Sequence, residues 1–197
     1  MIQKLHLGTT LAALVLFCLP WLDIQCSSKS FITQTGLQTI YGGGSPAPEL
    51  EAFAKEQGRD KTLGKQGDDS MGYSPLVALA LLAVLGAVGA SFVAFRSPNS
   101  GPRESSAGML CAIAFALIAA QMMIGFPAKK SVGKNMAESS KKENHGSPMG
   151  EQELGIATAM MMEIQVRYLP ALYIELIMLG LPTLILANGL IDKLKKT

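Results

Sequence analysis

Apolar residues in this chain come in long unbroken runs instead of the short periodic pattern of a water-soluble core. From Pro75 to Phe95 there is no ionisable residue, and at ~1.5 Å per residue this run makes about 31 Å of helix against a bilayer core of ~30 Å. Leu7 to Leu22, Ala107 to Pro127 and roughly Tyr168 to Ile191 have the same character. One such run fits the buried core of a soluble protein, but four of near-bilayer length predict a membrane protein. The expected fold is an all-α polytopic membrane protein with four transmembrane helices and a partly β-structured extracytoplasmic loop.

The pattern divides the chain into five parts. Residues 1–22 read as the first transmembrane helix. The stretch after it, Leu19-Pro20-Trp21-Leu22-Asp23, offers no small-x-small cleavage site, so an uncleaved span is expected, with Trp21 anchoring its end at the interface. Residues 23–73 form a long extracytoplasmic loop. Within it, 31–34 and 37–41 are rich in Thr, Ile, Phe and Tyr and predict two short strands around Gly36, ended by Gly42-Gly43-Gly44. Pro46 and Pro48 then introduce Glu49 to Glu56, with Glu51 and Lys55 at helical i,i+4 spacing, before a Gly-rich charged stretch.

Residues 74–127 read as an antiparallel helix pair joined by a short turn with Pro98, Gly101 and Pro102. In its first helix Ala83, Ala87 and Ser91 recur every four residues, as do Gly86 and Ala90, which predicts faces that admit a close neighbour. Residues 128–167 form a second outer loop. Leu154, Ala157, Met161 and Ile164 at helical spacing predict that it ends in an amphipathic helix. Residues 168–197 carry the fourth span, kinked at Pro182, and a basic cytoplasmic tail.

Charge sets the orientation. Lys4, Arg96, Arg103, Lys193, Lys195 and Lys196 all flank span ends on one side, which predicts both termini in the cytoplasm of a plasma or inner membrane. The net charge of +2 and the lack of a basic patch argue against nucleic acid as a partner. Of three cysteines, Cys18 and Cys111 fall in apolar runs and Cys26 lies just past a membrane end, where nothing in its own loop can pair with it.

Candidate chemistry is sparse. Glu175 is the one carboxyl within a span, where charge is costly and a functional or buried polar site is the default reading. Counted from the outer side, Gln121 lies at a similar depth and is its expected hydrogen-bond partner. Met160 to Met162 with Met122 and Met123 suggest soft-metal ligation, but only His6 and His145 accompany them, on opposite sides of the expected topology. No metal, cofactor or catalytic set is therefore expected. Asp23 near Cys26 does not make a reactive thiol, because negative charge suppresses the thiolate.

Four spans with a long strand-containing first loop resemble the layout of claudin-like tetraspans. Those proteins carry a Trp and a pair of cysteines in that loop, whereas this loop has one cysteine and no tryptophan beyond Trp21, so no function is carried over. The expected role is a non-enzymatic membrane subunit whose outer loops, with Trp21, Cys26, Phe31 and Tyr41 as contact candidates, bind other membrane subunits or copies of itself. A channel or cation-coupled transporter subunit using Glu175 is the alternative.

Overall fold

The computed structural model describes residues 2–26, 29–47, 72–96, 101–128, 131 and 164–194. They fall into two units: a helical one drawn from Met1–Leu19, Pro75–Ile124 and Pro170–Thr197, and a second drawn from Pro20–Ser74 and Gly125–Leu169.

The helical unit contains α1 (Ile2–Leu16), α3 (Pro75–Arg96), α4 (Gly101–Ile124) and α5 (Pro170–Leu194). Three stretches in it, Pro75–Arg96, Ser105–Ile124 and Pro170–Asn188, are long and apolar enough to cross a membrane, while Lys4–Leu16 is a shorter apolar helix. The chain is therefore an integral membrane protein with at least three bilayer-length helices. The expected first helix over 1–22 stops at Leu16 instead. Cys18 and Leu19 close turns back onto Val15 and Leu16, and from Pro20 the chain is extended. Proline cannot donate to the helical ladder, and Trp21 and Ile24 suit a pleated sheet.

Every helix presents one inward stripe. On α4 it is Ala107, Cys111, Ala114, Ile118 and Gln121, and on α5 it is Leu172, Glu175, Leu179 and Pro182. Alternating steps of three and four residues are the seam of a left-handed helix pair. The stripe of α3 includes Ala83, Ala87 and Ser91. Gly86 lies on the lipid-facing side of that stripe, yet a Cβ there would come 3.2 Å from Leu110 Cδ1, so it too admits α4. Ala90 is half-buried. α4 also comes close to α5 at a glycine that the small-residue pattern did not single out. At Gly108 a Cβ would meet Leu186 Cβ at 3.1 Å and the Pro182 carbonyl at 3.5 Å.

The second unit holds a four-stranded antiparallel sheet of β1 (Pro20–Cys26), β2 (Lys29–Thr35), β3 (Ser45–Pro46) and β4 (Ile164–Tyr168) in the order β3-β2-β1-β4. β1 is central: Leu22 pairs with Gln34 on one side and Tyr168 on the other, and Asp23 likewise with Thr33 and Arg167. Ile24, Ile32, Val166 and Ala128 pack together on one face, and Phe126 meets Tyr168 with ring centroids 6.0 Å apart. Two expectations fail here. Residues 164–167, read as the end of an amphipathic helix, and Tyr168, read as the start of the fourth span, together form a strand; the rest of that expected helix, from 151 to 163, lies outside the described residues. Residues 37–41 are not a strand but part of a helix, α2 (Gly36–Tyr41).

The reason for α2 is a capping box. The Thr35 hydroxyl accepts from the Gln38 N–H at 3.1 Å, and the Gln38 side chain accepts from the Thr35 N–H at 2.9 Å. At the other end Gly42, at φ 81, closes the helix onto the Gln38 carbonyl. The i,i+4 pair Glu51 and Lys55, the methionines Met160 to Met162 and the turn residues 97–100 lie outside the described residues.

Gly42→Ala places a Cβ in a left-handed conformation and within 3.2 Å of the Gly72 backbone. It is expected to destabilise the sheet unit by at least about 1 kcal/mol, read as a lower unfolding midpoint in detergent.

Candidate functional site

Within the helical unit the inward stripes gather an unusual amount of polarity. His6, Thr9, Thr10, Ser91, Gln121 and Glu175 are all buried. The three on α1 escape a hydropathy reading, which takes His6 as part of a charged leader to the span. Their spacing with Ala13 and Phe17 shows them on the inward face. Thr9 and Thr10 satisfy their hydroxyls locally, each donating to the His6 carbonyl, at 3.1 and 2.9 Å.

Glu175 is different. It is completely buried in the stripe of α5 between Leu172 and Leu179, and neither carboxyl oxygen has a hydrogen-bond partner among the described residues. Gln121 is buried as expected, but the expected hydrogen bond between the two is not made. Both residues lie on the inward stripes of their helices. Cys111, a free thiol on the stripe of α4, lies within electrostatic range of the carboxyl. Ser91 Oγ on α3 is likewise buried without a partner among the described residues. An unsatisfied buried polar group costs about 1–3 kcal/mol, so this interior holds a carboxyl at the expense of stability.

The second candidate is the sheet. Asp23 is buried in its central strand, where Gln25 Nε2 donates to Oδ2 at 2.7 Å and the Ser30 hydroxyl donates to Oδ1. Both oxygens are thus engaged by β1 and β2. Arg167, directly across from Asp23 on β4, is exposed and makes no ion pair among the described residues. Gln34, buried on β2, donates to the Gly43 carbonyl and ties the turn after α2 to the sheet.

The Leu169 N–H donates to the Trp21 carbonyl at 2.8 Å, which sets the phase of the β1–β4 ladder. In an antiparallel pair, hydrogen-bonded and non-hydrogen-bonded pairs alternate. Gln165 and Arg167 therefore direct their main-chain groups toward β1. Ile164, Val166 and Tyr168 direct theirs away from it, at the end of the strand order.

The four contact candidates fare differently. Trp21 is fully buried in β1, so it is neither an interfacial anchor nor a surface for a partner. Tyr41 is exposed at the end of α2. Cys26 and Phe31 belong to β1 and β2, with side chains outside the described part. Groups of three or more metal-ligating side chains are absent among the described residues.

Compared with family models, curated proteins and solved structures, the chain has no match.

Glu175→Met removes an unsatisfied carboxyl while keeping side-chain length. It is expected to stabilise the helical unit by about 1–3 kcal/mol, seen as a raised unfolding midpoint. A lowered midpoint would show that the carboxyl is bonded in the native protein.

Proposed function

We propose that this chain is a small, non-enzymatic integral membrane subunit that holds a partner protein or another copy of itself through its extramembrane sheet. In this reading α1 is the fourth span. Its 15 residues make about 22 Å of helix, which a locally thinned bilayer and the snorkelling of Lys4 accommodate. Both termini are cytoplasmic, because the basic residues Lys4, Arg96, Arg103, Lys193, Lys195 and Lys196 collect on that side. The sheet is then extracytoplasmic, in a plasma or inner membrane.

The observation that supports an assembly role is the edge of β4. A strand at the end of a sheet with main-chain donors and acceptors pointing outward is a template for a further strand, and soluble proteins ordinarily blunt such edges. Exposed Gln165 and Arg167 give that edge side chains able to select a partner. A second reading, a channel or cation-coupled transporter subunit, is favoured by the unpartnered Glu175 carboxyl. Against it, that carboxyl has no exposure within a single chain.

Native mass spectrometry of the gently extracted protein tests the assembly reading. A stable complex, with itself or another protein, is expected, and a monomer at every detergent concentration would end it. For the transport reading the discriminating result is the loss of ion flux in Glu175→Gln liposomes.

Topology is checked independently. With Cys18, Cys26 and Cys111 changed to serine, a cysteine introduced at the exposed Ser45 is expected to react with an impermeant maleimide added to intact cells. Protection there, with labelling only after lysis, would reverse the orientation.

A further inference from the structure

The assembly reading leaves open which partner takes the edge, and the residues of β4 narrow it. We infer that the edge of β4 pairs with β4 of a second copy, antiparallel and two-fold symmetric about Val166, joining two sheets into one continuous sheet.

The argument rests on the phase of the ladder and on what the symmetry places opposite what. Because the Leu169 N–H binds the Trp21 carbonyl, the outward main-chain groups of β4 belong to Ile164, Val166 and Tyr168. A two-fold axis at Val166 turns these into hydrogen-bonded pairs: Val166 with its own symmetry mate, and Ile164 with the second copy's Tyr168. Only residues already in the strand are needed, and no bond to β1 is lost.

Side chains agree with this register. Gln165 and Arg167, both exposed, come to face each other across the new junction as non-hydrogen-bonded pairs, the closest kind. The Arg167 guanidinium, which has no ion pair among the described residues, then donates to the Gln165 amide oxygen of the other copy, twice by symmetry. Like charges directly opposite each other would oppose pairing; here the symmetry never sets Arg167 against Arg167. On the other face Val166 meets Val166, apolar against apolar. Isologous contact of one patch with itself closes the assembly at two copies along this edge and generates no fibre.

Cysteine pairing reads the register directly. In a background with Cys18, Cys26 and Cys111 changed to serine, a Gln165→Cys chain is co-expressed with a differently tagged Arg167→Cys chain. Non-hydrogen-bonded partners have Cα atoms about 4.5 Å apart, inside the range that a disulfide spans. Oxidation is expected to give a doubly tagged dimer as the main product, with little dimer from either variant alone. Val166→Pro removes an outward N–H without touching the ladder to β1, and is expected to abolish that dimer.

Equal crosslinking by the single variants, or none from the pair, overturns the inference. If native mass spectrometry nevertheless finds a complex that survives Val166→Pro, the assembly role stands on another surface and β4 self-pairing falls alone. A protein that is monomeric throughout removes both.

Discussion

The antiparallel ladder between β1 and β4 is the interaction on which the rest of the architecture turns. It joins Pro20–Cys26, immediately after α1, to Ile164–Tyr168, immediately before α5. Because β1 is committed to pairing on both sides, α1 must end by Leu16, and because β4 is extended, α5 begins at Pro170. The first and last helices owe their limits to a sheet and not to the apolar runs in which they lie.

The helical unit follows a second constraint. In lipid the backbone must be satisfied within each span, so packing is left to side chains, and small inward residues let the axes approach. Ala107, Gly108 and Ala114 on α4 and Ala83 and Ala87 on α3 serve that end. Against this economical packing, Glu175 stands out as a buried carboxyl with no hydrogen-bond partner among the described residues.

Three long spans were legible because length and hydropathy are local properties of Pro75–Arg96, Ser105–Ile124 and Pro170–Asn188. The end of α1 was not, since Leu19-Pro20-Trp21-Leu22 stays apolar while the backbone changes from helix to strand, and a hydrophobicity profile does not separate the two. β4 was misread for a related reason. Ile164 and its neighbours continue a helical spacing begun at Leu154, and the pairing that overrides it comes from more than a hundred residues away. α2 was different in kind: the Thr35-to-Gln38 capping box was present in the sequence, but β-branched content masked it. Of the site residues, the burial of Glu175 and Gln121 was readable from polar groups set within apolar spans, whereas which side chains meet across two helices depends on packing that no single sequence records.

The same ladder also dictates an order of events during synthesis. β1 and β2 leave the ribosome early and can form their hairpin at once, but β1 keeps one side unpaired until Ile164 to Tyr168 has been translated. Two further apolar helices must enter the bilayer in that interval. Closing so long a loop is slow compared with local structure, so the nascent chain carries an open central strand through most of its own insertion. The strand that completes the sheet is thus translated immediately ahead of the last helix.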